Sequence, residues 1–183
     1  LKFAGSIDET IGQYFKKEDN SEGFFTPGKF SKEEQVVIKE VSIQNQLNEI
    51  TETFQVGDSL KVNLLMESSQ DFEDPYIFVA IKSNFGAVCV ASTMIDGNKL
   101  SRLKKGENNI SCTFKNLPLL PQEYYLSIGI RRNDGRTFLT TSKEIGHFVI
   151  VTRMKDLGID GEVAERMAAD SVSPLIPYEW NFG

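Results

Sequence analysis

Between residues 36 and 150 the hydrophobic positions fall close to every second residue, the period of a strand with one face in a core. Val36, Ile38, Val41 and Ile43 keep that period except for a slip at Lys39-Glu40, which predicts a β-bulge. Phe54 follows, with a turn at Gly57-Asp58. Leu60, Val62, Leu64 and Met66 alternate cleanly. The loop of residues 68–75 leads to a strand over 75–83 whose inward set is Ile77, Val79 and Ile81. A turn at Asn84-Phe85-Gly86 precedes a strand over 87–94, and Asp96-Gly97 is a further turn signal. Strands are predicted over 107–115 and 123–132, the second with Tyr124, Leu126, Ile128 and Ile130 inward. Asp134-Gly135 reads as the turn to a strand over 137–142, and a last one covers 145–151. About seven or more short strands with frequent turns predict an all-β antiparallel sandwich, immunoglobulin-like or jelly-roll-like.

The flanks do not share this pattern. Residues 1–34 contain scattered glycines and a charged run, Lys16-Lys17-Glu18-Asp19, and read as a linker or N-terminal arm. Phe24, Phe25 and Phe30 are unusual for a free linker, so part of the arm is expected to dock. Residues 153–183 read as a helical connection and a terminal strand. Asp160 can cap a short helix over 161–169, and residues 175–180 form an apolar extended piece holding the sole Trp, Trp180. Such a strand needs a sheet edge, on its own subunit or on a neighbour's. The sandwich proper is thus expected over 35–152.

Composition narrows the function classes. Of 183 residues, 40% are hydrophobic and 25% charged, with a net charge of −6, enough apolar material for a core. The charge balance argues against nucleic acid, since basic residues cluster only in pairs such as Lys104-Lys105 and Arg131-Arg132, and against anionic membrane. No apolar run approaches the roughly 20 residues that span a bilayer, and no signal peptide opens the chain. The start at Leu1 suggests a piece of a longer protein. Cys89 and Cys112 lack metal-ligand spacing and read as small hydrophobes in a reducing compartment.

Catalytic equipment is not apparent. The single histidine, His147, lies in an apolar strand, without the nucleophile and second partner that a triad requires, and reads as a partly exposed strand residue. There is no phosphate-binding glycine loop. Asp71, Glu73 and Asp74 do not match a calcium loop and read as a solvated turn. No metal and no cofactor are expected.

The outward strand faces carry the candidate chemistry. Opposite the inward sets lie Tyr76, Phe78, Ala80 and Lys82 on one strand and Tyr125, Ser127, Gly129 and Arg131 on another. If the two are neighbours, one face combines aromatic rings, small residues and cations. Sugars suit such a face, because their C–H patches stack on rings and their polar groups take hydrogen bonds. Tyr76, Phe78, Lys82, Tyr125, Ser127 and Arg131 are therefore the candidate carbohydrate-binding residues. The competing reading is a face covered by the arm, the tail or a second subunit.

A series of short motifs has a recognisable order: Phe54-Gln55-Val56-Gly57-Asp58, Asp96-Gly97, Leu100, Leu103, Gly106, Phe114, Leu117-Pro118-Leu119-Leu120-Pro121, Tyr124, Leu126-Ser127, Ile130 and Tyr178-Glu179-Trp180. It resembles the C-terminal domain of the ATPase subunit of O-antigen polysaccharide ABC exporters, the Wzt type, over about residues 36–151 and the tail. Gln122 departs from it, standing where that family usually has glycine, and residues 153–173 are longer than expected. The resemblance implies an immunoglobulin-like sandwich in the cytoplasm, at the inner face of the inner membrane. It implies binding of the finished, often capped, non-reducing end of a lipid-linked O-antigen and thereby a licence for export. It implies no catalysis in this domain; ATP hydrolysis belongs to a separate domain, beside a transmembrane exporter subunit. It also implies homodimers that exchange the last strand. The alternative is a protein-interaction or dimerisation sandwich without a small ligand.

Overall fold

In a computed structural model, residues 23–25, 34–98, 100–158 and 161 are described, the side chains of residues 141–143 and 154 excepted. The strands are β1 (Phe24–Phe25), β2 (Val36–Gln44), β3 (Thr53–Phe54), β4 (Leu60–Ser68), β5 (Phe72–Glu73), β6 (Tyr76–Ser83), β7 (Gly86–Ser92), β8 (Arg102–Leu103), β9 (Gly106–Phe114), β10 (Glu123–Arg131) and β11 (Phe138–Ile150). One sheet runs β1-β2-β4-β9, the other β3-β11-β10-β6-β7, and β5 pairs with β8 in a small bridge. All pairs are antiparallel except β3 with β11. The fold is an all-β sandwich.

Alternation in the sequence sets the layers. Ile38, Val41, Ile43, Leu60, Val62, Leu64 and Met66 from one sheet meet Ile77, Val79, Ile81, Tyr124, Leu126, Ile128 and Ile130 from the other in a single core. Fully burying an aliphatic or aromatic side chain of this size contributes about 1.5–3 kcal/mol before entropy is counted. At the centre Phe148 stacks on Tyr124 with ring centroids 5.5 Å apart and meets Phe54 edge-on at 5.6 Å. The slip at Lys39 is a bulge: Ile38 faces Met66 while Glu40 faces Leu65, so one residue is extra on β2.

Four local readings change. The loop of residues 68–75 contains β5, tied to β8 by the ion pairs of Arg102 with Asp71 and, at 3.2 Å, with Glu73. The strand expected over 87–94 ends at Ser92, and Thr93–Asp96 forms a short helix, α1, closed by Gly97 at φ 75°. Gly97 is thus a helix end as well as a turn, since a left-handed residue after a helix suits glycine. The two strands expected over 137–142 and 145–151 are one strand, β11, whose pairing with β10 shifts between Ser127–Glu144 and Tyr125–His147. Gly146, at φ 86°, absorbs that shift, so the chain continues as one strand through residues 143–144, where the two predicted strands are separated.

Phe24–Phe25, inside the segment expected to be an arm, forms β1 against β2, and Phe25 joins the core. The helix expected over 161–169, Phe30 and the terminal strand with Trp180 lie outside the described residues, apart from Gly161. Among the described residues no helix is long and apolar enough to cross a membrane.

Candidate functional site

β10 lies between β11 and β6, so the outward residues of the two predicted strands do share a face. Cross-strand register sets Tyr125 opposite Lys82, Ser127 opposite Ala80, Gly129 opposite Phe78 and Arg131 opposite Tyr76. Directly opposed residues point to the same side, so all six candidates stand on the outer face of the five-stranded sheet. Ala80, Ser127 and Gly129 form a buried floor between taller neighbours.

The polar groups on this face are partly committed to each other. Lys82 Nζ donates to Glu144 Oε1 in an ion pair. Tyr125 donates its hydroxyl to Glu123 Oε2 at 2.8 Å. That bond favours the protonated phenol, so the Tyr125 pKa is pushed up to about 12. Arg131 lies 4.4 Å from the Phe138 ring centroid and 5.9 Å from that of Phe78, and its Nη1 donates to the Gly135 carbonyl at 2.9 Å. Cation–π contact of this kind holds a guanidinium flat against apolar surface.

Residues not picked out from the sequence extend the face. Phe138, Met94 and Val90 are 42%, 53% and 48% exposed, and Tyr76 and Met94 both border Gly135. Both Phe138 and Met94 fall within predicted strands, 137–142 and 87–94, but inward and outward sets are assigned to neither strand from the sequence, and Met94 lies in a helix instead. His147 sits opposite Tyr125, half-exposed, with its Nε2 3.5 Å from Glu52 and its ring edge-on to Phe25. Cys89 and Cys112 are free thiols, half-buried against the core, and burial pushes both thiol pKa values up. Among the described residues no group of His, Cys, Asp and Glu has the arrangement of a metal site.

The other sheet presents a different surface. A depression of about 450 Å³ crosses the outer face of β2, β4 and β9. Register lays its floor in rows across the strands: Glu40, Leu65 and Asn109; Ser42, Asn63 and Ser111; Gln44, Lys61 and Thr113. The middle row continues onto β1, where Phe24 stands opposite Ser42. The polar half of each alternating strand predicted an outward face here, but its rows come from residues about 20 and 50 positions apart and needed the register to align.

A family model described as the Wzt C-terminal domain matches residues 31–161. The chain belongs to the Wzt C-terminal domain family. A crystal structure of the C-terminal domain of wzt superposes with a TM-score of 0.58 at 14% identity, covering 73% of this chain and 84% of that one. At this identity the agreement speaks for the fold. A β-glucuronidase of glycoside hydrolase family 2 gives a TM-score of 0.42 at 10% identity, over 60% of this chain and 11% of that one. The CARDB domain of the PF1109 protein from Pyrococcus furiosus, in complex with di-metal ions, gives 0.38 at 10% identity, over 68% of this chain and all 100% of that one. Both fall well below the wzt domain in structural agreement. No curated protein has a sequence that matches the chain.

Proposed function

We propose that this chain is a non-catalytic carbohydrate-binding module that recognises the capped, non-reducing end of a lipid-linked O-antigen polysaccharide for export by an ABC transporter. The family match over residues 31–161 carries the reading, because Wzt C-terminal domain membership supports a carbohydrate-binding role in O-antigen export. In this proposal Tyr76, Phe78, Lys82, Tyr125, Ser127 and Arg131 meet the polymer end. The stack of Phe78, Arg131 and Phe138 supports that assignment by offering ring faces beside a cation, the pairing that suits a sugar bearing an anionic cap. ATP hydrolysis then resides in another domain of the parent protein. The module works at the cytoplasmic face of the inner membrane, beside the transmembrane exporter subunit. Two copies pair by exchanging their last strand. Among the described residues β7 and β9 are outermost in their sheets, each with one edge open to such a strand.

Saturation-transfer NMR on the full chain with O-polysaccharide released from the lipopolysaccharide of the strain that encodes it tests the reading. Transfer to the polysaccharide is expected, reduced by Tyr125→Ala combined with Arg131→Ala. Absence of transfer to the wild-type chain overturns the carbohydrate reading. The exposure of Met94, Val90 and Phe138 favours a second reading, a protein-docking face without a small ligand. It is supported instead if transfer is absent and light scattering shows a dimer dissociated by Phe138→Ser with Met94→Ser.

A further inference from the structure

We propose that the trough on the four-stranded sheet is a second glycan-contacting surface, one that takes neutral sugar residues of the polymer. The proposal rests on the carbohydrate reading above and adds a place and a ligand chemistry to it.

The outer face of a sandwich in a chain with 25% charged residues is ordinarily studded with paired ions. One end of this face follows that rule, where Lys39 and Glu67 pair at 2.5 Å. The trough departs from it. Its middle row is Ser42, Asn63 and Ser111, flanked by Gln44 on one side and Asn109 on the other. These are amides and hydroxyls, groups that both donate and accept and so match the vicinal hydroxyls of a sugar, which do the same. Charged neighbours are few: Glu40 lines the rim, and Lys61 is engaged by the Asn48 side-chain oxygen at 3.2 Å.

The trough's hydrogen-bonding capacity is largely unspent. Asn63 Nδ2 reaches Ser42 Oγ at 3.4 Å, which leaves the Asn63 carbonyl oxygen open. Among the described residues, Gln44, Asn109 and Ser111 have no side-chain partner. Such groups are satisfied by water in the free protein, and an amide array that exchanges water for hydroxyls loses little on either side.

Shape and one aromatic ring complete the match. Adjacent strands lie about 4.7–4.9 Å apart, so the row from Phe24 through Ser42 and Asn63 to Ser111 offers a contact at each step across the sheet. A linear polymer laid across the strands would meet these groups in succession. Phe24, half-buried at the end of the row, gives it a ring face for a sugar's C–H patch. Leu65 supplies a small apolar floor in the neighbouring row. Neutral sugars are the class indicated because the middle row is made of hydroxyls and an amide, while Lys61, the cation among the described lining residues, stands in the outer row and donates to the Asn48 side-chain oxygen.

The experiment uses the full chain and the same released O-polysaccharide, titrated by calorimetry at two salt concentrations. Two trough variants are compared with wild type: Asn63→Ala with Ser111→Ala, which removes hydrogen-bonding groups, and Ser111→Trp, which fills the trough. All these positions face outward, and circular dichroism melts identify any variant that fails to fold. A loss of two to three neutral hydrogen bonds corresponds to roughly tenfold weaker binding, and salt is expected to leave the loss unchanged because no charge is involved. Wild-type affinity in both folded trough variants overturns the trough while the carbohydrate reading stands. No binding by the wild-type chain overturns both. A loss that disappears at high salt overturns the neutral-sugar assignment.

Discussion

Removing one oxygen atom from Tyr124 tests how the sandwich is pinned at the start of β10. The Tyr124 ring is 1% exposed and stacks on Phe148, contacts that phenylalanine would keep. Its hydroxyl donates to the Leu120 carbonyl at 2.9 Å and accepts from Gln122 Nε2, also at 2.9 Å. This is the tyrosine corner of immunoglobulin-like sandwiches, a hydroxyl bonding back to the backbone just upstream. It anchors the proline-bounded loop of residues 117–121 to the strand. Tyr124→Phe deletes two hydrogen bonds at about 0.5–1.5 kcal/mol each and strands a buried carbonyl, so the expected cost is about 1–3 kcal/mol. Gln122→Ala deletes one and leaves the Leu120 bond intact, so about 0.5–1.5 kcal/mol is expected. The double variant should cost less than the sum of the two singles, because both singles remove the Gln122–Tyr124 bond. Urea denaturation at neutral pH gives these values as midpoint shifts at constant slope. A Tyr124→Phe midpoint equal to wild type would refute the anchoring role. Strict additivity would show that Gln122 does not engage the hydroxyl.

Two further perturbations probe backbone and ionisation. Gly146→Ala is expected to cost about 2–4 kcal/mol, since a Cβ there would come within 2.7 Å of the Phe25 ring at φ 86°; Gly97→Ala, at φ 75° with nothing within 4 Å, should cost about 1–2 kcal/mol, and equal losses in thermal melts would show that β1 does not pack on Gly146. Tyr125 should ionise at about 12 rather than near 10 in an ultraviolet titration, and Glu123→Gln should bring it down. The sign follows from the raised value: the stability this bond contributes is complete below about pH 10 and is lost as pH rises through about 12. An unshifted Tyr125 would mean that its hydroxyl is free for ligand.

The sequence by itself determined the strands and their sides. Val36 to Ile43, Leu60 to Met66, Ile77 to Ile81 and Tyr124 to Ile130 all fall in one core, because an alternating strand can bury its apolar half in just one orientation and a one-residue slip would expose it. The same alternation put Tyr76, Phe78, Tyr125 and Arg131 on an outward face, and register confirmed their neighbourhood. It could not say what those groups would be doing. Lys82 found Glu144, Tyr125 found Glu123 and Arg131 found Phe138 across strand pairs or loops, contacts set by tertiary geometry and not by spacing along the chain. The continuity of β11 was also hidden: residues 137–142 and 145–151 read as two strands, while the register shift at Gly146 lets one strand run through. Short elements such as β5, β8 and α1 bury too little to impose a period, so packing alone decided them. The trough of Ser42, Asn63 and Ser111 shows the same division. Each residue's outward side was legible in its strand, but their alignment into one row depends on the register of β2, β4 and β9, which the core packing and the bulge at Lys39 fix together.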